Sequence, residues 1–475
     1  MKKLAVILLA LMFVVLPVFA NGSSEETATK GSKTTAQTNA DTDRFGIPHS
    51  DDITSWIIED NPESITGTVR WWMPFKLNAG MGALIEEFNQ TYPNIKVELT
   101  TYNNNSDGNL SVNTAIMAGE VDVLASFGLS NTDRRCSNGL YIDLTDRCIE
   151  EGISLEDNWG SDQYIWDDSI YTFPCGGLSY YVAINMNAWN EAGLGEIPTE
   201  WTWDEYMDAC RKMTKYNEDG SVAVYGGSDY HSMSYATYEY LSNVGKNCYY
   251  SEDGTSSFLE PLVLKQLERE CNAELVEKIW FPKATYRADN IQAQQTFCKG
   301  QTATTIICNV TRFLADQKNY PTDWITAFAP YPVSEHGQTN YMSGVAPFSH
   351  AGICVGCQDE EAAWAFLKWY STYGVKYLAA AGHQPNWRGT EPGSTVPLIF
   401  GSVENAAKII DIESHNRVVG NTALPSYYEN IVVGYNDLAK IHNEYSLYAF
   451  NGTMTPLEAM TEAKKRADES IASYN

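Results

Sequence analysis

The chain has 475 residues, of which 60 are acidic and 32 basic, so its formal net charge is −28 at pH 7. A negative field of this size repels nucleic acid and anionic lipid headgroups, which excludes a basic-patch binding role. The length exceeds what one hydrophobic core usually supports, so we expect two domains.

The first twenty residues have the pattern of a signal peptide. Lys2 and Lys3 precede an apolar run over 4–16, and Val18-Phe19-Ala20 provides a cleavage pattern of small residues. The run is shorter than the about 20 apolar residues that a membrane span needs. The first cysteine is Cys136, so the cleavage position offers no thiol for a lipid anchor. We therefore expect export, cleavage after Ala20 and a periplasmic location.

Residues 21–44 contain almost no large apolar side chain and are rich in Ser, Thr, Asn and Gly. Such a segment cannot bury enough surface to offset the entropy lost on ordering. Residues 21–66 are accordingly predicted to form a disordered spacer and an N-terminal extension, with order beginning near Gly67.

The order of elements after residue 67 predicts a parallel sheet covered by helices. Val69, Trp71 and Met73 alternate with their neighbours as in a strand. A helix then runs from Ala79 until Pro93 ends it. A strand, a helix and an apolar strand follow at 95–99, 110–118 and 122–127. This alternation is typical of the α/β class.

The remainder of the chain repeats the α/β pattern. Thr202 and Glu205 form a capping-box pattern, and a second one starts at Thr455 with Pro456 at the first helical position. Strands are predicted at 170–174, 180–185, 304–308, 325–330 and 352–356, and an amphipathic helix at 360–370.

Ten cysteines are formally enough for five disulfides, but their spacing does not reveal a connectivity. Cys354 and Cys357 form the only CxxC pattern, within a stretch that is predicted to be a strand. Residues three apart on a strand point to opposite faces, so we expect neither a metal nor a redox cofactor there, and no cofactor elsewhere.

Four stretches, at 67–99, 170–214, 297–310 and 329–372, follow one another in a familiar order. Together they resemble the extracellular solute-binding protein family 1, the maltose-binding-like receptors of ABC importers, and the similarity extends over 67–475. The stretch with FPCGGLSYYVAIN and TWDEY is the most specific. Two features depart from the family pattern: Ile184-Asn185 replaces a Tyr-Asn pair, and Asn309-Val310-Thr311-Arg312 replaces a segment that often carries an aromatic residue.

The resemblance implies a periplasmic-binding-protein type II-like fold, with two α/β lobes joined by crossing hinge strands and a ligand cleft between them. Lobe 1 would comprise 67–176 and 344–383, and lobe 2 would comprise 177–343 and 384–475. The implied function is that of a monomeric, non-enzymatic receptor. It would close on a mono- or oligosaccharide and deliver it to an ABC permease, with no nucleic-acid partner.

Ligands of open α/β sheets bind beyond the carboxyl ends of the strands, and this rule selects the candidate residues. Trp387 and Arg388 are the preferred candidates, since an indole face suits a pyranose and an arginine fork suits vicinal hydroxyls or a carboxylate. The aromatics also fit core positions, and Asp229 also fits a turn cap. The full set is Trp72, Phe75, Phe127, Ser179, Tyr180, Asp229, Tyr230, His231, Asn309, Arg312, Ser343, Gly344, Trp387 and Arg388.

Two other functions are compatible with the sequence. An exported glycosidase needs two carboxylates about 5–10 Å apart, and 60 acidic residues make such pairs uninformative. The GxSxG, HExxH and P-loop patterns of other enzyme classes are absent from the sequence. A receptor for a chemotaxis or sensor-kinase partner would share the fold and the closure, so the sequence does not separate it from an importer subunit.

Overall fold

The computed structural model describes residues 41–74, 80–160, 165–166, 168–230, 236–246, 249–251, 253–428 and 434–474. The predicted signal peptide and residues 21–40 of the spacer lie outside the described residues, as do the candidates Phe75 and His231. No helix in the described ranges combines the length and apolarity that crossing a membrane requires.

The strands are β1 Gly67–Pro74, β2 Ile95–Tyr102, β3 Val123–Phe127, β4 Ile165–Trp166, β5 Ser169–Ile170, β6 Phe173–Pro174, β7 Gly177–Ser179, β8 Tyr181–Asn185, β9 Lys215–Tyr216, β10 Val222–Val224, β11 Thr304–Ile307, β12 Thr326–Pro330, β13 Val345–Pro347 and β14 Ser349–Ile353. The helices are α1 Met81–Thr91, α2 Ser106–Met117, α3 Leu129–Ser137, α4 Thr145–Glu151, α5 Leu155–Trp159, α6 Met186–Glu191, α7 Trp203–Met213, α8 Tyr238–Val244, α9 Pro261–Cys271, α10 Lys283–Ala288, α11 Ala293–Cys298, α12 Thr311–Ala315, α13 Glu360–Ser371, α14 Val396–Phe400, α15 Val403–Ala406, α16 Ile412–Val418, α17 Tyr435–Phe450 and α18 Pro456–Ala472.

The first sheet has the strand order β2-β1-β3-β14-β6. β1 is parallel to β2 and to β3, which confirms the predicted parallel arrangement. β14 adds antiparallel to β3 from more than two hundred residues later in the chain, with Ser349 opposite Phe127. α13 covers this sheet, and Trp71 of β1 packs against Phe366 and Tyr370 at ring distances of 5.2 and 4.8 Å.

The residues before β1 belong to the first core. Trp56 and Ile57 are buried there, and the Trp56 ring lies 6.0 Å from that of Trp159. The Glu59 N–H also donates to the Tyr92 hydroxyl over 3.1 Å. The prediction that order begins near Gly67 is therefore wrong for residues 41–66, because these scattered apolar side chains contact a core that forms only in the folded chain.

The second sheet is antiparallel, with the order β11-β8-β12. Its two faces pack against two hydrophobic clusters, one around Trp203, Tyr206 and Trp280 and the other around Phe297 and Phe328. The predicted capping boxes that begin α7 and α18 are both confirmed.

The capping box of α7 leads to a prediction for stability. The Thr202 hydroxyl accepts from the Glu205 N–H over 3.3 Å, and the Glu205 carboxylate accepts from the Thr202 N–H over 2.7 Å. Thr202→Ala should lower the free energy of unfolding by about 1 kcal/mol, measured by urea unfolding. Thr114→Ala is the control, since the Thr114 hydroxyl donates only to a carbonyl within α2 and caps nothing. Equal losses in both variants would contradict the capping role.

Three passes of the chain meet between the two sheets. β7 pairs antiparallel with β13, and the Gln384 backbone exchanges hydrogen bonds of 2.8 and 2.9 Å with Gly177. Gly177 is crowded, since a Cβ at this position would lie 2.3 Å from the Ala346 carbonyl oxygen. The two sheets are thus joined by short, closely packed crossing segments.

α17 and α18 complete the side of the molecule that contains the second sheet. Leu438 and Phe450 of α17 share a buried cluster with Val263 and Leu267 of α9. Trp387, which the predicted division assigns to lobe 2, is buried in the first core, whereas Ala346 and Ala379, assigned to lobe 1, lie in the two clusters of the second sheet.

The nine cysteines in the described residues are all free thiols. The predicted strand at 352–356 starts and ends earlier than expected, since β14 ends at Ile353. Cys354 forms only an isolated bridge to Tyr141, and Gly356 turns the chain with φ of +80°. Cys354 and Cys357 therefore lie at a strand end and in a turn.

Candidate functional site

Two adjoining cavities of about 680 and 510 Å³ lie where α17 faces the first sheet. Both are lined by Ser130 and Arg134 of α3 and by Asn436 of α17, so they form one continuous depression, here called the α3–α17 cleft. Its other lining residues are Asn104, Asn105, Ser106, Asn109, Leu110, Asn113, Asn131, Asp133, Arg135, Trp166, Gly434, Tyr435, Asp437, Lys440 and Tyr474.

One wall of the cleft is built by the turns that follow β2 and β3. β2 ends at Tyr102, and the Asn105 side chain then caps α2 by accepting from the Gly108 N–H over 2.8 Å. β3 ends at Phe127, and α3 begins two residues later. Both turns lie at the carboxyl end of the parallel strands, where open α/β sheets bind their ligands.

A buried arginine lies at the base of this wall. Arg135 is 2% exposed, and its guanidinium donates to the Asn113 and Asn109 amide oxygens over 3.0 and 2.7 Å. It also donates to the Ser126 hydroxyl, which lies 3.0 Å from the Tyr141 hydroxyl. These contacts join α2, α3 and β3 and hold the guanidinium in one orientation.

The opposite wall comes from the start of α17 and the end of the chain. The Tyr474 hydroxyl donates to Asp437 over 2.6 Å, and the Lys440 ammonium lies 3.3 Å from the same carboxylate. These hydrogen bonds, first that of Tyr474, lower the pKa of Asp437. The carboxylate is thus ionised and engaged by its own side of the cleft.

A second group of side chains adjoins the cleft at the crossing segments. Asn131, which lines the cleft, donates to the Phe127 carbonyl over 3.0 Å. The Phe127 ring stacks on His383 with centroids 4.6 Å apart. Burial, and then the charge of Arg312, lower the pKa of His383 to about 4, so the imidazole is neutral at pH 7.

The candidates Tyr230, Asn309 and Arg312, from the side of the second sheet, lie beside the same crossing segment. Gly382 lies against Asn309, because a Cβ on this glycine would be 2.5 Å from the Asn309 Cβ. Asn309 has φ of +53°, and its side chain accepts from Gln294 over 2.6 Å. Tyr230 lies near Arg312 and Gln294, and burial raises its pKa to about 12. The fold thus brings Phe127, Tyr230, Asn309 and Arg312 together around the crossing segment.

Other candidates lie in packing positions. Trp72 packs against the small cluster beside α2, and Tyr180 lies in the second core with its ring 5.1 Å from that of Tyr238. The Ser179 hydroxyl accepts from the Gly420 N–H over 3.0 Å. Ser343 follows Asn340 in a turn, and Gly344 is pressed against the backbone of 424–425.

Trp387 and Arg388, the preferred candidates, are not among the residues that line the α3–α17 cleft. The Trp387 indole N–H donates to buried Asn158 over 3.1 Å, and its ring packs at 5.5 Å from Tyr373 within the first core. The Trp387 side chain is only 3% exposed, so its ring is closed to a ligand in this structure. Arg388 is exposed and donates to the Glu156 carbonyl, so this pair holds the loop against α5 and not against the cleft.

Asp229 also has a different environment from the one expected. It is buried with Lys283, Glu270 and Glu274, and the Lys283 ammonium lies 3.4 Å from its carboxylate. It also accepts from the Tyr230 N–H, as a turn residue would. The side chain is part of an internal charge cluster in the second lobe.

None of the residues that line the cleft is among the candidates selected from the sequence. The strand-end rule applied to β2 would have selected Asn104 and Asn105, as it selected residues after β1 and β3. Asn436 and Tyr435 carry no comparable signal, because they reach the cleft through the packing of α17 on a remote part of the chain.

Solved structures of other proteins show which fold this chain has. A sugar transporter from Rhizobium etli in an open conformation superposes with a TM-score of 0.70 at 15% identity, covering 86% of this chain and 99% of that one. The sugar-binding protein MalE from Xanthomonas citri gives 0.66 at 16% identity, covering 86% and 98%. A solute-binding protein of Agrobacterium vitis with bound D-mannitol gives 0.58 at 17% identity, covering 86% and 99%. The fold is that of the type II periplasmic binding proteins, with two α/β lobes joined by crossing strands.

The family follows from the sequence itself. The family model for bacterial extracellular solute-binding proteins matches residues 76–377, more than half of the chain. The chain belongs to this family, which confirms the resemblance found in its motifs. A sequence comparison with curated proteins gives no match.

Proposed function

We propose that this chain is the extracytoplasmic binding component of an ABC importer, which captures a mono- or oligosaccharide between its lobes and delivers it to a membrane permease. The α3–α17 cleft supports this proposal. One of its walls belongs to the first sheet and the other to a helix that packs with α9, so each side alone offers half of a site. The sugar-binding protein of Xanthomonas citri and the mannitol complex make a sugar the first class of ligand to test.

The mechanism needs no covalent step. A ligand that contacts both walls stabilises the closed arrangement relative to the open one by the difference in its affinity for the two. The crossing segments at Gly177 and Gln384 are where the backbone would bend, since they are the connection between the two sheets. We propose that lobe 1 comprises 67–176 and 344–383, with residues 41–66 and Trp387 packed on it, and that lobe 2 comprises 177–343 and 384–475.

The cleft is lined by the chemistry that sugars require. Side-chain amides and hydroxyls predominate on the wall of α2 and α3, and Tyr435 and Trp166 supply aromatic surface. The exported protein, cleaved after Ala20, would act as a periplasmic monomer and close around a ligand. The permease would recognise the closed form.

Thermal unfolding in the presence of single sugars tests the proposal. A sugar at one hundred times its Kd stabilises the protein by about 2.7 kcal/mol, which raises the Tm by several degrees. Asn436→Ala, in the cleft, should weaken binding about 3- to 10-fold through the loss of one hydrogen bond. Asn451→Ala, at the other end of α17, is the matched control and should bind normally.

Solution scattering provides the second readout. The sugar that raises the Tm should also reduce the radius of gyration, because closure brings the lobes together. If no solute changes either quantity, or if the purified protein hydrolyses a glycan, the proposal fails. A ligand of another class that produces both changes would retain the transport function and replace the sugar.

A further inference from the structure

We infer that the saccharide bound by this chain carries an oxyanion, a carboxylate or a phosphate, and that Arg135 receives it. This inference rests on the proposed function. Arg135 lines the smaller cavity of the α3–α17 cleft and is 2% exposed, so its charge lies in a site that closure would seal from water.

The partners of Arg135 are neutral. Its guanidinium donates to Asn109, Asn113 and Ser126, with the Tyr102 hydroxyl beside it. None of the carboxylates in the described part of the chain forms an ion pair with it. A guanidinium has five N–H groups, so at least one is left for a ligand. The amide oxygens orient the group without neutralising it.

The other buried lysine and arginine side chains in the described residues have carboxylate partners. Lys283 lies 2.8 Å from Glu270 and also contacts Asp229 and Glu274. Lys368 lies 2.6 Å from Glu59 and 2.5 Å from Glu151. Among the buried cations in the described ranges, Arg135 alone has no carboxylate partner. A buried charge without a counter-ion is costly, and an anion supplied by the ligand removes that cost.

The geometry of an arginine favours an oxyanion over a hydroxyl. A planar guanidinium matches the two oxygens of a carboxylate or phosphate, and hydrogen bonds between charged partners are stronger than those between neutral ones. The net negative charge of the protein opposes an anion at long range, but salt screens it beyond about 8 Å. Of the two acidic residues that line the cleft, Asp437 is engaged by Tyr474 and Lys440, and Asp133 lines the larger cavity only.

Calorimetric titration of the wild-type protein with matched pairs of sugars tests the inference. The pairs are galactose with galacturonate, their α-1,4-linked dimers, and glucose with glucose 6-phosphate. One anionic member should bind at least 10-fold more tightly than its neutral partner, and the pair that responds distinguishes a carboxylate from a phosphate.

Variants then assign the effect to Arg135. Arg135→Met should weaken binding of the anionic sugar about 10- to 100-fold, the range expected for a lost hydrogen bond between charged groups, and Arg135→Lys should lose less. Arg147→Met is the control, since Arg147 pairs with Glu361 outside the cleft. If Arg135→Met does not fold, the difference in affinity of the wild-type protein for neutral and anionic sugars remains the test of the inference.

The outcomes separate the inference from the function on which it rests. Neutral sugars that bind as tightly as their anionic partners would overturn the inference and leave the proposed function standing. Equal affinity of Arg135→Met and the wild type for the anionic sugar would overturn it as well. If no sugar of either kind binds, both the inference and the saccharide ligand fail.

Discussion

Replacing Lys283 by methionine is expected to lower the free energy of unfolding by about 3–5 kcal/mol at pH 7. The Lys283 ammonium is completely buried, 2.8 Å from Glu270, 3.4 Å from Asp229 and 3.6 Å from Glu274. Burial lowers the pKa of this lysine, but the three carboxylates outweigh burial and raise it, so the group is charged. Removing it leaves three acids together in the interior with no cation.

Urea unfolding of Lys283→Met beside Lys96→Met measures this effect. Lys96 also pairs with a carboxylate, that of Glu98, but it is 71% exposed, and a surface pair contributes at most about 1 kcal/mol. A loss in Lys283→Met no larger than that in Lys96→Met would show that the buried carboxylates simply take up protons at little cost. The cluster would then contribute nothing to the stability of the second lobe.

The same cluster should make stability fall as the pH rises from about 4.5 to 8. Burial raises the pKa of Glu274 to about 8, from an ordinary value of 4.5, and burial raises the pKa of Asp229 as well. In this range the folded state keeps a proton that the unfolded state releases, so each step up in pH favours unfolding. The full effect of Glu274 is of the order of a few kcal/mol.

Glu274→Gln cannot bind or release this proton, so the variant lacks this contribution to the pH dependence of stability. Its free energy of unfolding, relative to the wild type, should increase steadily between pH 5 and pH 8, measured by urea unfolding at each pH. The variant has to be compared with the wild type at each pH, because buried histidines change the stability with pH in the opposite direction. Burial lowers the pKa of His415 and His442 to about 4, which reduces stability as the pH falls below 6.5.

Glu277→Gln is the matched control for the pH experiment. The Glu277 carboxylate pairs with Arg211, and that hydrogen bond lowers its pKa. Its contribution is complete above about pH 4.5, so the difference from the wild type should stay constant between pH 5 and pH 8. A constant difference for Glu274→Gln also would show that Glu274 is ionised in the folded protein.

The comparison with solved structures is informative because identity is low while coverage is high. At 15–17% identity the superpositions show the fold, and the ligands of those proteins serve here only as the first ones to test. The residues that would choose a ligand therefore have to be found in this chain. Asn109, Asn113, Arg135 and Asn436 are the ones that the α3–α17 cleft identifies.

Local signals in the sequence were sufficient for much of the fold. Thr202 and Glu205 define the start of α7 because a capping box involves only residues three positions apart. The alternation around Val69 and Trp71, followed by a helix that ends before Pro93, predicted the parallel β1–β2 pair. Such predictions work because strand and helix periods are properties of short segments. Family motifs extended these elements to a two-lobed α/β fold.

What the sequence alone determined is the α/β class, the family and the order of elements, since each depends on contacts or motifs that are close along the chain. The tertiary structure decided which side chains meet. It enclosed Trp387 in the first core beside Asn158, and it brought α17 opposite Arg135 from three hundred residues away. Such contacts depend on burial of surfaces that the sequence order does not link, so only the folded chain reveals them.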